Sequence, residues 1–299
     1  MTRHPLSRRS LALLPVALAA ARAAPAVARA GQATPTAAAG RVLLEATFAA
    51  DELPAGDAQG FFFRLTLPPG ATLSYLAGPF CGCPGQEVTP AVGAELVLSG
   101  SYAVRLGAPF RVVRADGAEE EVAVGSDAVL DAGDGAVFPD YAAPGEIRAA
   151  GSEPAVVVGV AVAAAAGSGT PAPRLPVAVE GEQLATLSAL GWGDVATGGP
   201  VALRLRRLEL PVGGALGPYE SAAAEAMLVE AGEVGGGILQ PGQDSPPGEP
   251  LAYPEGSTLP FVSLQPGFRR LVANGGDAPA VLLVAAIAPA EPAGATPAG

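Results

Sequence analysis

The chain has 299 residues, 49% of them hydrophobic and 15% charged, with a net charge of −12. All 17 basic side chains are arginine, the single histidine is His4, and there are two cysteines. Beyond the first residues, therefore, the chain cannot build a Ser-His-Asp triad, a Cys-His pair, a histidine-ligated metal, a lysine Schiff base or a phosphate-loop lysine. Its acidity also excludes nucleic acid as a partner, since that affinity rests on cationic contacts to phosphate.

Residues 1–30 carry five arginines and no acid, leaving 12 arginines against 29 acids in the remainder. A basic stretch ends in Ser7-Arg8-Arg9-Ser10-Leu11, an apolar stretch follows, and Ala28-Arg29-Ala30 offers small residues for cleavage before Gly31. This three-part plan is that of an export signal, and the paired arginines resemble the twin-arginine type. The apolar run is cut by Pro15 and Arg22, short of the roughly 20 residues a membrane span needs. The expected location is extracytoplasmic, secreted or in the cell envelope, with no integral membrane contact after cleavage. Retention of the leader as an anchor is the alternative.

From Val42 onward, short apolar runs such as LVLSG at 96–100 and VVVGVAVA at 156–163 are punctuated by Gly, Pro and Asp. That pattern predicts an all-β protein of short strands and tight turns. Only EQLATLSALG at 182–191 spaces its apolar residues in a helical manner. An internal repeat runs through the chain. LTLPPGATLSY at 65–75 parallels LELPVGGALGPY at 208–219, and ELVLSGSYAV at 95–104 parallels AMLVEAGEVGG at 226–236. RAAGSEPAVVVGVAVA at 148–163 parallels ANGGDAPAVLLVAAIA at 273–288. Three matched blocks in the same order predict two similar domains, near 41–166 and 199–290. Between them 167–198 reads as linker and interdomain segment, with Trp192 as its anchor, and 291–299 reads as a disordered tail.

These blocks resemble the cupin barrel, and the mature chain resembles a two-domain bicupin. The resemblance implies two tandem jelly-roll barrels, each a double-stranded β-helix, and it allows a homodimer. Gly133-Asp134 and Pro139 match the family's second conserved segment; Glu225 followed by Gly232 matches the glutamate and glycine of the first; Asn274 matches the later asparagine. At the positions where the family places its metal-binding side chains, this sequence has other residues. The register puts Gly93 and Gly145 there in the first domain, and Pro218, Glu220 and Arg270 in the second. The family's iron, manganese or nickel site cannot be assembled in its usual form, so no cofactor is expected.

Several residues are candidates for a site. Cys81-Gly82-Cys83 suits a disulfide in an exported protein. With Glu87 the two thiols also have the spacing of the family's metal motif, so free thiols and a thiolate-held metal remain alternatives. Glu225 and Arg270 at opposing positions would fill the metal's volume with an ion pair and form a pocket for a carboxylate or hydroxylated ligand. The plainer reading is that Arg269-Arg270 forms an exposed edge and Glu225 faces solvent, because a one-residue slip reverses every side chain of a strand. Asp140-Tyr141 and Tyr219-Glu220 stand near the expected barrel mouths, where surface turns are the plainer reading. No catalytic residue is assigned.

Two functions follow. The leading expectation is a non-catalytic protein whose barrels bind a small ligand or serve a structural role without the family metal. The alternative is an enzyme using the carboxylates Glu87, Glu220 and Glu225, or a metal held by Cys81 and Cys83, in place of histidine-ligated metal chemistry.

Overall fold

Strands begin where the Gly- and Pro-rich punctuation stops. The computed structural model describes residues 39–54, 58–75, 91–141, 143–164, 179–187, 199–220, 223–245, 250–261 and 267–290, and no helix occurs among the described residues. In chain order the strands of the first half are β1 (Ala39–Phe48), β2 (Ala58–Leu67), β3 (Thr72–Tyr75), β4 (Ala91–Ser99), β5 (Ser101–Leu106), β6 (Phe110–Val113), β7 (Glu119–Val122), β8 (Asp127–Asp131), β9 (Gly135–Phe138), β10 (Gly145–Ala149), β11 (Ala155–Ala164) and β12 (Glu180–Thr186). The second half adds β13 (Val201–Leu210), β14 (Ala215–Tyr219), β15 (Ala224–Ala231), β16 (Glu233–Leu239), β17 (Leu251–Pro254), β18 (Thr258–Phe261), β19 (Arg269–Asn274) and β20 (Ala280–Pro289).

These strands form two barrels, each made of one large and one four-stranded sheet. Barrel 1 has the orders β12-β2-β11-β4-β9-β6-β7 and β3-β10-β5-β8, and barrel 2 has β1-β13-β20-β15-β18 and β14-β19-β16-β17. From β2 to β6, from β8 to β11, and through barrel 2 apart from the β16–β17 hairpin, the chain passes between the two sheets of a barrel at each turn. That path is a jelly roll, or double-stranded β-helix. The turns repeat as well: Gly100 after β4 and Gly232 after β15 have φ of 72° and 77°. A Cβ at either would fall within 2.9 Å of a proline carbonyl, of Pro154 or Pro279, so the turn demands glycine for conformation and for space.

The strand preceding each barrel pairs in the other. β1 lies beside β13, with Leu44 opposite Leu205, while β12 lies beside β2, with Gly181 opposite Leu65. The helical spacing at 182–191 is overruled in its first part, since residues 180–186 are strand β12. The edge of the β2 strand offers a row of unpaired backbone groups, and satisfying these outweighs a weak local period.

Three cores result. Phe63, Val104, Phe110 and Ile147 fill barrel 1, and Leu208, Met227, Val272 and Val284 fill barrel 2. A third layer, with Leu44, Phe62, Val160, Leu203, Leu205 and Ile287, lies between the two large sheets. This explains why β11 and β20 read as unbroken apolar runs: one face of each strand looks into its barrel and the other into the shared layer. Each fully buried Leu, Ile or Phe there contributes roughly 1.5–3 kcal/mol of transfer free energy.

Candidate functional site

On β15, Ala224, Ala226 and Leu228 enter the shared layer, whereas Met227 and Val229 enter barrel 2. Glu225 has the phase of Met227, so strand alternation carries its carboxylate into the barrel. Arg270 has the phase of Val272 on β19 and is 0% exposed. The two meet: Arg270 Nη1 lies 2.6 Å from Glu225 Oε2, and Arg270 Nη2 donates to the carbonyl of Ala223 at 3.0 Å. The plainer reading, an exposed Arg269-Arg270 edge with Glu225 facing solvent, does not hold for Arg270 or Glu225, which are both buried. Arg269, one residue earlier, points the other way and donates to the carbonyl of Gln243.

Two further side chains complete the cluster. The Tyr219 hydroxyl donates to Glu225 Oε2 at 3.0 Å, and Arg206 Nη2 approaches Glu225 Oε1 at 3.4 Å. Burial, then the charge of Glu225, pushes the Tyr219 hydroxyl well above its ordinary pKa, so it remains a neutral donor. Tyr219 reaches this place because the β14–β19 register shifts between Leu216 and Tyr219. At the shift Gly217 has φ of 95°, and a Cβ there would stand 2.4 Å from the Arg270 carbonyl oxygen. The same shift leaves Pro218 and Glu220 exposed. Glu220 therefore does not join Glu225 and Arg270; the extra residue of an irregular strand re-aims the side chains that follow it.

Barrel 1 holds a different cluster. Glu95 on β4 is 2% exposed and has the phase of Val97, which faces the barrel interior. Its carboxylate accepts a hydrogen bond from Tyr102 at 2.8 Å and a short one from Tyr141. Burial raises the Glu95 pKa to about 7, and the two hydroxyl donors act against that rise. The Tyr141 ring packs on Phe138 at 5.2 Å and on Phe63 at 6.3 Å between centroids. Asp140, its neighbour in sequence, is exposed, so this candidate pair divides, with Tyr141 inside and Asp140 outside.

The family-motif residues Asp134 and Asn274 have structural partners. Burial acts to raise the Asp134 pKa, but the amides of Ala115 and Asp131 and the Arg114 guanidinium hold it below the usual carboxylate range. Asn274 donates to the carbonyls of Leu210, Pro211 and Ala278 and accepts from the amide of Gly276, binding the ends of three chain segments. Away from both clusters, a cleft of about 560 Å³ lies beside Arg64 and Glu182 on the large sheet of barrel 1. Those two residues are paired at 2.5 Å. Cys81, Cys83, Glu87 and Trp192 lie outside the described residues.

The cupin scaffold implies a metal, and the described residues do not fit one. In barrel 2 a guanidinium stands at one of the ligand positions and is bonded to the carboxylate at another. Gly93 and Gly145 bring no donor to barrel 1. Among the described residues no group of three or more His, Cys, Asp or Glu side chains converges on a common point.

The fold is that of a bicupin. No family model and no curated protein matches the chain. The chain is similar to several solved structures. One is AerE from Microcystis aeruginosa, 16% identical, with a TM-score of 0.39 over 78% of this chain and 88% of that one. Another is a cupin 2 conserved barrel domain protein from Leptotrichia buccalis, 9% identical, with a TM-score of 0.34 over 83% and 89%. A third is procruciferin, an 11S globulin from Brassica napus, 11% identical, with a TM-score of 0.43 over 82% and 85%.

Sequence reasoning missed Glu95, Tyr102 and Arg206. Glu95 had a signal, as the only charge in the apolar run AVGAELVLS at 91–99, a pattern that calls for a buried partner. Arg206 alternates with leucines in VALRLRRLEL at 201–210, but both faces of β13 are covered, so alternation alone does not tell which face the arginine takes.

Proposed function

We propose that this bicupin is an exported, non-catalytic protein whose barrels bind a small ligand or serve a structural role without the family metal. The observation that carries this reading is the Glu225–Arg270 ion pair at 2.6 Å inside barrel 2. A guanidinium is a permanent cation and cannot ligate a metal. At this position it neutralises the carboxylate as a metal would, while offering no open coordination site for chemistry. The glutamate of barrel 1 supports the same reading, because its carboxylate is engaged by two tyrosine hydroxyls within an aromatic core. Export rests on the leader alone, with its arginine pair at Arg8-Arg9 and cleavage before Gly31.

The deciding experiment is elemental analysis of the tag-free protein purified from the exported fraction, with its amino terminus determined by mass spectrometry. The reading expects no stoichiometric transition metal and a chain beginning at Gly31. About one metal per chain would reverse it in favour of the enzyme alternative. A chain retaining residues 1–30 would remove export by cleavage.

A further inference from the structure

The charges on the inner face of barrel 2 do not balance. Arg204 is matched by Glu45, with contacts of 3.0 and 3.2 Å from two guanidinium nitrogens to the two carboxylate oxygens. Arg270 is matched by Glu225 at 2.6 Å. Among the described residues Arg206 pairs only with the same Glu225, at 3.4 Å, and Arg270 already neutralises that charge. Arg206 Nε is buried and has no hydrogen-bond partner among the described residues. Tyr219, held neutral, cannot compensate. Glu220 is exposed. Among the described residues one cation on this face is in excess, in a chain whose net charge is −12.

The surroundings combine solvent access with small and apolar side chains. Arg206 is 32% exposed at its side chain, so solvent reaches this end of the barrel. Ala286 lies opposite both Arg204 and Glu225 in the sheet and clusters with Ala223 and Ala288, so the strand between β13 and β15 carries small side chains here. Ile238, opposite Arg270 on β16, is 43% exposed and presents an apolar surface at the same end.

We propose that this end of barrel 2 binds a small monoanionic carboxylate, its charge on the Arg206 guanidinium and its apolar body toward Ile238 and the three alanines. A guanidinium takes a carboxylate through paired N–H donors, and a buried donor left unmade costs free energy that such a ligand recovers. A monoanion balances the single excess charge, whereas a phosphate dianion would leave a negative charge beside Glu225. This ligand class gives the ligand-binding reading above its chemistry and rests on that reading.

The test is calorimetric titration of the mature protein with sodium benzoate at low ionic strength. The expected result is saturable binding that weakens at least tenfold in Arg206→Gln and is unchanged in the control Arg64→Gln, with neutral benzamide silent. Benzoate should also protect Arg206 from phenylglyoxal in the unaltered protein, mapped by mass spectrometry, which keeps the test independent of how the variant folds. No saturable binding, equal affinity in a folded Arg206→Gln, absence of protection, or phosphate binding as tightly as benzoate would each overturn the proposal. Metal-free protein that ignores benzoate removes this inference alone; stoichiometric metal removes the reading beneath it.

Discussion

Gly93 and Glu225 occupy the same place in the two barrels. Gly93 pairs with Ala161 in the β4–β11 ladder, and Glu225 pairs with Ala286 in the β15–β20 ladder. Where Glu225 extends a carboxylate toward Arg270, the Tyr141 ring lies 3.1 Å from the point at which Gly93 would carry a Cβ. One position is thus closed by an ion pair in barrel 2 and by an aromatic ring in barrel 1. The buried carboxylate of barrel 1 has moved two residues along the same face, to Glu95.

Removing one member of the barrel 2 pair leaves an uncompensated buried charge. Arg270→Met or Glu225→Leu alone should cost about 3–5 kcal/mol, while the double variant should recover most of the loss, because apolar side chains fill the volume without a desolvation penalty. Urea unfolding of the three variants checks this. Single variants within about 0.5 kcal/mol of the parent, the range of neutral surface changes, would contradict it.

Glu95 makes stability depend on pH. Its folded pKa of about 7 lies above the ordinary 4.5, so between those values the folded state binds more protons than the unfolded state. The contribution is therefore complete below 4.5 and is lost as pH rises through about 7. The loss amounts to about 3 kcal/mol at most, since each tenfold change in proton affinity is worth roughly 1.4 kcal/mol. Glu95→Gln should flatten this slope. Urea midpoints of parent and variant across this range should diverge, and parallel curves would count against a buried, raised Glu95.

Glycine is required more strictly at 217 than at 213. Both have positive φ, of 95° and 69°, but only at 217 would a Cβ meet backbone, 2.4 Å from the Arg270 carbonyl oxygen, whereas nothing lies within 4 Å at 213. Gly213→Ala should cost about 1–2 kcal/mol, the ordinary penalty of the left-handed region. Gly217→Ala should cost clearly more and disturb the Tyr219–Glu225 contact. Equal melting-temperature losses in the two variants would refute this.

Cys81 and Cys83 are expected to be oxidised to a disulfide in exported protein. Thiol titration of native, unreduced protein should find no free sulfhydryl. Two titratable thiols would instead favour the free-thiol or thiolate-metal alternatives, which cadmium absorbance of the reduced protein would separate.

Much of the fold was legible before any coordinates. The matched blocks at 65–75 and 208–219 fall on corresponding strand-turn-strand units, β2–β3 and β13–β14, and the register counted from Gly232 and Asn274 brings Glu225 and Arg270 into contact. The same counting failed at Glu220, because the shift at Gly217 is a property of how β14 fits β19 and leaves no mark in residue spacing. It also had no access to the contact between Glu95 and Tyr141, which lie 46 residues apart and meet only through the closure of barrel 1.

Composition and local pattern by themselves determined the absence of histidine and lysine chemistry, the all-β character and the twofold repeat, since these depend on residue type and on spacing along the chain. Tertiary structure decided which strand pairs with which, so that β1 and β12 each complete the opposite barrel, and which of two faces each charged side chain takes. The physical reason is that sheet pairing joins backbone groups distant in sequence. A single extra residue in a strand then exchanges inside for outside, and with it decides whether an arginine meets water, a glutamate or a ligand.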